Sequence, residues 1–482
     1  MDEIWKLAED NISEYNLDLK NNGIPIRNRE EHYLISFIPP LLVWDEKATK
    51  KNFYCVNNVH LYLHIPFCEI ICSFCHLNKI KLGSDHSIVS LYVDSIIREL
   101  KYYFERFPQR VTIKSIQFGG GTPSILSARE LDKILSAIHK YFIIDNDCEL
   151  KFEFLADTNP NKYADIVNIL GDFGKLKGVV DLQTKSSEIL KKIGRKKQTY
   201  NEYLKTIDFL KENGVGEIIT SLIIGLPKDS RGSLESTLRA LASHESVSTI
   251  TGYPLMFKSS DPLFRLLKNN KEYFLSEYER DVMEEFMTLF MKEHNFIESP
   301  INFFSRTNID NIQQNGKYNS DALIGVGAGA FGYIPSKKSQ SQYINTPNIS
   351  HYINSTKMNQ LPIWKSTDLS LSEFKRKKLI LKLGTLESFE ISQELQDKTI
   401  LNELNYLSKL DYILLYKGRC RLLPKGRRRY TEVGTFLMDS LSINKILSYS
   451  EHQKMIRSCD FDLFPSYDTN QLKNILQTKA YL

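Results

Sequence analysis

The sequence has no apolar run approaching the ~18 residues a membrane-spanning helix needs. Its longest candidate, Ile218 to Leu226, is only the size of a strand. The opening MDEIWKLAEDN mixes acids with bases and contains no apolar stretch, so it does not read as a secretory signal. Cysteine is scarce and odd in number, seven in 482 residues. That count argues against a disulfide framework and for metal ligation or free thiols. A large charge of one sign is also missing. The formal net charge is +5, from 63 basic and 58 acidic residues, too weak to imply a nucleic-acid partner. Internal repeats and low-complexity tracts are absent. What remains is a globular protein, expected in the cytoplasm, with 11% aromatic residues to line an apolar pocket or fill a core.

A chain of this length suggests two or three domains. Residues 1–57 read as an N-terminal extension carrying the Pro39–Pro40 pair. From 58 onward, short β-branched or apolar runs recur at His60–Phe67, Thr112–Gly119, Leu150–Ala156, Gly178–Thr184, Glu217–Gly225 and Ser248–Met256. Amphipathic stretches separate them, such as Ile88–Arg106, where Ile88, Leu91, Tyr92 and Ser95 are expected on one face. Six strands alternating with helices predict right-handed βαβ units and a parallel sheet, either an open partial barrel or a doubly wound sheet. In both, ligands sit at the C-terminal strand ends. This α/β region is expected over 58–345, followed by a linker at 346–368. Residues 369–445 predict a winged-helix-like, mainly helical domain: helices at Leu371–Leu383 and Ile400–Leu410, a hairpin at Ile413–Leu423 turning at Lys417–Gly418, and a helix from Tyr430. Residues 446–482 read as a loosely packed tail.

The segment His64–Lys79, HIPFCEIICSFCHLNK, follows the first strand and spaces Cys68, Cys72 and Cys75 as C-x3-C-x2-C. Thiolates at this spacing wrap three irons of a cubane [4Fe–4S] cluster from one loop. The fourth iron is then open to the amino and carboxylate groups of S-adenosylmethionine (SAM). Two other readings stay open: a zinc site that adds His76, and plain buried thiols. Cys55, Cys148, Cys420 and Cys459 are scattered and read as core or surface thiols.

HIPFC, FGGGTPS and LIIGLP, in that order, resemble the radical SAM superfamily. Within it they resemble the oxygen-independent coproporphyrinogen III oxidases (coproporphyrinogen dehydrogenases) and their relatives, which include heme chaperones and class C methyltransferases and cyclopropanases. The similarity runs from about Tyr62 to Leu437. It implies a partial (β/α)6 TIM-like barrel that binds the cluster and one SAM molecule, or two. By the same resemblance Tyr62, Gly120, Gly121, Thr122, Asp157, Gln183, Arg195 and Ser221 lie along the first SAM, and Phe74 lies at a second SAM site. Phe331, in the Gly-rich segment Gly325–Gly332, is implied to pack on the adenine, with an ordinary turn as the alternative. Arg195 has an alternative too, as an exposed charge beside Lys196 and Lys197.

Three positions depart from the family pattern. Ser221 stands where an Asp is usual, Lys197 where a His is frequent, and Leu77 where the porphyrinogen oxidases often have a further Cys. Asp157 stands for the usual Glu. The resemblance implies a small-molecule substrate, a tetrapyrrole or a natural-product intermediate, and an electron donor such as flavodoxin or ferredoxin. The reaction is expected to be oxidative decarboxylation, or else C-methylation or cyclopropanation. A heme-binding chaperone without carbon chemistry is the alternative. Two further features suggest roles: Phe37-Ile38-Pro39-Pro40 as a cover for the pocket mouth, and the basic run Lys425–Arg429 as a solvated wing tip or, less favoured, a nucleic-acid contact.

Overall fold

Strands form where alternating or continuous apolar runs predict them. They are β1 (Asn58–Ile65), β2 (Thr112–Gly120), β3 (Ile143–Phe154), β4 (Lys175–Val180), β5 (Glu217–Ile224) and β6 (Val247–Pro254). Each pairs in parallel with the next in sequence. The computed structural model describes residues 1–22, 37–46, 56–84, 86–256, 262–306, 312–319, 321–335, 339–392, 397–453 and 469–482; Cys55 and Cys459 fall outside them. A helix α1 (Asp2–Asn22) precedes the sheet. The crossovers hold α2 (Ser87–Arg106), α3 (Ala128–Tyr141), α4 (Ala164–Gly171), α5 (Ser187–Lys192), α6 (Tyr200–Glu212) and α7 (Arg231–Ser243). This is the order of the partial barrel expected from the sequence.

The buried stripe of α2 is Val89, Tyr92, Val93, Ile96, Leu100 and Tyr103. Of the expected face, Tyr92 and Ser95 are buried and Ile88 packs against the core, while Leu91 is 46% exposed. The helical repeat of 3.6 residues carries the stripe through 89, 93, 96 and 100 instead.

After β6 come α8 (Pro262–Asn269), α9 (Glu277–Glu293) and α10 (Ile312–Tyr318). Then β7 (Leu323–Val326) enters beside β1, parallel to it. β8 (Phe331–Pro335), β9 (Gln340–Asn345) and β10 (Ile363–Asp368) extend that side antiparallel. Short strands at Phe303–Ser305 and Ile297–Glu298 extend the other side, giving twelve strands in one sheet among the described residues. The linker expected at 346–368 is therefore part of the sheet domain. It holds α11 (Ile349–Lys357) as well as β10, and Tyr352 of α11 is fully buried with its ring 5.1 Å from that of Tyr92.

The C-terminal part has its own apolar core, including Leu379, Ile380, Leu404, Leu407, Val433 and Phe436. It comprises α12 (Leu371–Leu383), α13 (Lys398–Lys409), the hairpin β11 (Ile413–Tyr416) and β12 (Arg419–Leu422), α14 (Pro424–Arg428) and α15 (Tyr430–Leu437). The described residues of the expected tail are helical. α16 (Ser440–Gln453) and α17 (Thr469–Tyr481) pack together, and Leu472 and Ile475 are buried. The basic run Lys425–Arg429 is neither a solvated wing nor a nucleic-acid surface. Arg427 pairs with Glu298, Arg428 with Asp281 and Glu284, and Arg429 with Asn16 and Glu432. Buried acids on α9 and its neighbours draw these arginines inward.

Candidate functional site

Side chains alternate across a strand, and on β3 the alternation is strict. Leu150, Phe152 and Phe154 pack into the apolar core, while Glu149, Lys151 and Glu153 face the opposite way. All three of these charged residues are nonetheless buried or nearly so. They line a polar lumen shared with the corresponding residues of the neighbouring strands. At its N-terminal end the lumen is closed by ion pairs: Lys151 and Lys177 reach the two oxygens of Glu149 at 3.0 and 2.9 Å, and Lys177 also reaches Glu217 at 2.9 Å. The chemistry lies at the other end.

There the cysteine loop leaves β1. Residues Phe67–Cys68 pair with Ile80–Lys81, so the loop is pinned at both ends. Cys68 is buried, while Cys72 and Cys75 are partly exposed, and none of the three is in a disulfide. Burial raises the Cys68 thiol to about 11, against a hydrogen bond from Thr122 that lowers it. The turn after β2 seats the loop from below. The N–H of Gly121 donates to Ile65 O at 2.7 Å, and that of Thr122 to Phe67 O at 2.8 Å. Gly120 has φ +111°, and a Cβ there would meet the His64 ring at 2.6 Å. Only glycine fits this position.

Tyr62 sits two residues earlier on the same face, its hydroxyl 2.8 Å from His64 Nδ1. The other ring nitrogen of His64 faces the Asn78 carbonyl at 2.8 Å. A carbonyl only accepts, so Nε2 carries the proton and Nδ1 accepts from Tyr62. Burial, which lowers the His64 pKa to about 4, keeps the ring neutral. Asn78 in turn donates to Ala328 O and Pro347 O. The cysteine loop is thereby tied to the Gly-rich turn between β7 and β8. Phe331 leaves that turn with its ring 5.5 Å from Tyr62 and 5.1 Å from Phe37, which brings the extension segment to the same rim. Phe74 packs against the small cluster of Ile189, Leu190, Ile193, Leu226, Leu255 and Leu263.

On the next strands the polar residues converge. Gln183, just past β4, is buried and held at φ +69° by backbone hydrogen bonds with Ser221 and Ile223 of β5. A non-glycine residue is seldom held there without a reason. Its Oε1 is buried without a hydrogen-bond partner. Arg195 is 6% exposed, not the surface charge that was its alternative; it donates to Asp181 O at 2.7 Å, and its Nε has no partner. The N–H of Ser221 donates to Asp181 Oδ1 at 3.1 Å, and Thr251 donates to Ser221 Oγ at 2.9 Å.

Asp157 is the expected site residue that the structure sets apart. Its carboxylate is paired with Lys162 and accepts the Asn159 N–H. The chain has left the strand by then, and the lumen alternation no longer reaches it. The carboxylate beside the glycine turn is Glu153, which accepts the Gly120 N–H and is pushed up to about 8 by burial and then by Asp181. Asp181 is itself raised by burial. Glu153, Asp181, His64 and Asn78 were all missed in the sequence. The polar-apolar alternation of Glu149 to Phe154 was the available signal for Glu153.

Residues 62–241 match the radical SAM superfamily. They form a radical SAM domain. Over 297 residues the chain is 27% identical to the heme chaperone HemW of Bacillus subtilis, covering 61% of this chain and 74% of that one. Over 322 residues it is 26% identical to the oxygen-independent coproporphyrinogen III oxidase of Cereibacter sphaeroides, covering 63% and 68%. Among solved structures, coproporphyrinogen III oxidase (HemN) from Escherichia coli superposes with a TM-score of 0.68 over 79% of this chain and 90% of that one, at 18% identity. The two share a fold. Among the described residues no helix is long and apolar enough to cross a membrane.

A radical SAM domain implies a [4Fe–4S] cluster and SAM, and the residues present fit both. Among the described residues no three His, Cys, Asp or Glu side chains converge as a single ion would require. A cubane takes its thiolates on separate irons and asks for a wider spread. His76 has Nε2 2.8 Å from Met256 O, so Nε2 carries the proton and any metal contact of this ring would run through Nδ1. The orphaned Gln183 Oε1 and Arg195 Nε are polar atoms that a bound ligand would satisfy.

Proposed function

We propose that this chain is a radical SAM enzyme of the coproporphyrinogen oxidase-like kind, with Cys68, Cys72 and Cys75 holding the cluster and SAM lying across the C-terminal ends of β1 to β5. The convergence at one rim of the cysteine loop, the bare Gly120–Gly121 backbone and the unpartnered Gln183 and Arg195 atoms supports this reading most. A reduced cluster with SAM bound supplies a 5′-deoxyadenosyl radical, which takes hydrogen from an unactivated carbon.

The chain's own residues bind and orient. Gly120 and Gly121 let backbone approach the ligand closely, and Thr122 steadies Cys68. Tyr62, fixed by His64, and Phe331 flank the adenosyl moiety. Arg195 faces a carboxylate of the ligand, and Gln183 presents an acceptor. Asp181 supplies negative charge where SAM carries its cationic groups, and Glu153, which accepts the Gly120 N–H, holds the glycine turn in place. Asp181 stands beside Ser221 and so provides, from the adjacent strand, the carboxylate that the family places at position 221. The organic substrate, a tetrapyrrole or similar molecule, is placed by this reading at the same C-terminal rim of the sheet, where the radical forms.

A second reading, a heme chaperone, is favoured by the similarity to HemW. One experiment separates them. The protein is reconstituted anaerobically and supplied with dithionite, SAM and candidate substrates. 5′-Deoxyadenosine alone supports decarboxylation or dehydrogenation, and its appearance with S-adenosylhomocysteine supports methyl transfer. Trace 5′-deoxyadenosine with tight heme binding supports the chaperone. Unchanged iron content in the Cys68→Ala, Cys72→Ala and Cys75→Ala variants would sink all of these. Asp181→Asn is expected to weaken SAM binding about tenfold or more in equilibrium titration, with iron content unchanged.

A further inference from the structure

Helix α2 carries an acid that no ion pair explains. Glu99 is 1% exposed, and among the described residues no lysine, arginine or histidine pairs with it. Burial raises its carboxyl to about 7, against hydrogen bonds from Tyr352, Gly327 and Asn345 that lower it. A carboxylate buried without a base is costly unless donors surround it. Here they do. Its Oε2 accepts the N–H of Gly327 at 2.9 Å and the hydroxyl of Tyr352 at 2.6 Å, and its Oε1 accepts from Asn345 Nδ2 at 2.8 Å.

These donors belong to the Gly-rich turn between β7 and β8, to α11 and to the end of β9. The turn is held by further bonds around the same point. Asn345 Nδ2 also donates to Gly327 O at 3.0 Å. Tyr92, two helical turns before Glu99 on the buried face of α2, accepts the Ala328 N–H at 2.7 Å and donates to His64 O at 2.8 Å, which ties the turn to β1. The N–H of Ala330 donates to Gly327 O at 3.1 Å, and that of Asn345 to Ala330 O at 2.8 Å. Gly327 has φ +112°, and a Cβ there would stand 2.5 Å from His64 O. The turn is therefore pressed against the strand. Phe331 follows Ala330 directly, and its ring lies 5.5 Å from that of Tyr62.

We infer that Glu99 is a positioning residue for the adenosyl side of the SAM site: its carboxylate fixes the Gly327–Ala330 turn, and through the turn it sets where Phe331 stands relative to Tyr62. This rests on the reading that SAM lies at this rim. Glu99 touches none of the proposed site residues that face the ligand, and it takes no part in bond breaking. It acts on affinity. A turn already held in the bound shape spares the cost of ordering it when the ligand arrives. Glutamine keeps the shape of the side chain but replaces one acceptor oxygen with an amide that donates. One of the donors now aimed at Glu99 then meets another donor, and the turn loses a bond.

The test compares wild type with Glu99→Gln, with the milder Tyr352→Phe, and with Leu404→Ala, which opens the separate C-terminal core. Each protein is reconstituted anaerobically and titrated with SAM at equilibrium. 5′-Deoxyadenosine formation against SAM concentration, with dithionite in excess, gives KM and kcat, and iron content and Tm are read alongside. In Glu99→Gln, Kd and KM for SAM are expected to rise about two- to tenfold, the span that one lost hydrogen bond carries, while kcat at saturating SAM and iron content stay near wild type. Tyr352→Phe shifts both constants the same way by less. Leu404→Ala lowers Tm and leaves SAM affinity alone. Wild-type SAM affinity in Glu99→Gln would overturn the inference, and if that variant does not fold, wild-type affinity in Tyr352→Phe would do so. An equal rise of KM in Leu404→Ala would also overturn it, since general loosening would then explain the effect. A wild-type protein that binds no SAM would instead overturn the reading beneath.

Discussion

Replacing Gly121 by alanine puts a Cβ where two backbone oxygens already stand. The added carbon would lie 2.7 Å from Ile65 O and 2.7 Å from Phe67 O, both backbone atoms that cannot rotate aside. Those same oxygens accept the N–H groups of Gly121 and Thr122 at 2.7 and 2.8 Å. To make room, the strand end that begins the cysteine loop must move away from the turn that seats it. Overpacking of this kind costs about 1–3 kcal/mol. Each weakened hydrogen bond adds about 0.5–1.5 kcal/mol, and alanine returns about 0.4–1 kcal/mol by restricting the unfolded chain. The balance is a loss of roughly 2–4 kcal/mol, or a fall in Tm of several degrees for a domain of this size. Cys68 follows Phe67 directly, so iron retention after reconstitution is expected to fall with Tm. Thermal unfolding by circular dichroism and the iron-to-protein ratio read the two effects. Gly83→Ala is the control, because a Cβ there meets nothing within 4 Å. A Gly121→Ala variant with the Tm and iron content of wild type would refute the claim that this turn seats the cluster loop.

Two further outcomes follow from buried charge. Glu153 is held at about 8 in the folded protein against 4.5 for an ordinary carboxyl, so between those values the folded state holds a proton that the unfolded state has lost. Its contribution to stability is present below pH 4.5 and declines as pH rises toward 8, by up to about 1.4 kcal/mol per pH unit; Tm against pH for the apo protein should show this slope, and Glu153→Gln should flatten it. Arg428 is 2% exposed and lies 2.8 Å from Asp281 and 2.9 Å from Glu284; Arg428→Ala should cost about 3–5 kcal/mol in denaturant unfolding because it strands buried carboxylates, and a loss below about 1 kcal/mol would show that the pairs carry little.

The strands were legible because their residues must be buried whatever lies around them. Ile116, Phe118, Leu150 and Phe152 have nowhere to go but a core, and β-branched or aromatic runs of that length make strands. The cysteine loop and the glycine turn were legible for another reason, since their chemistry is written within a few consecutive residues. Residues 346–368 were not legible. Their short polar stretches pass for a linker until Tyr352 meets Tyr92 and Ile363–Asp368 finds β9. The same holds for Lys425–Arg429. A run of bases looks solvated in one dimension, and it is turned inward by Asp281 and Glu284 of α9 and by Glu298, more than a hundred residues earlier, together with Asn16 and Glu432.

The substitution at position 221 shows where local reading stops. Ser221, taken alone, looks like a carboxylate lost from the site, and a lost carboxylate weakens the case for SAM. Yet Gln183, just past β4, pairs with Leu222, and this crossing places Asp181 against the N–H of Ser221. In the SAM site proposed above, the carboxylate would come from the end of β4 rather than from β5. A serine that leaves room for, and hydrogen-bonds to, a neighbouring aspartate would keep a carboxylate in this layer of the proposed site. Parallel strands forty residues apart in sequence share this layer. A motif search along either strand sees only a departure, and the compensation becomes visible when the two are laid side by side.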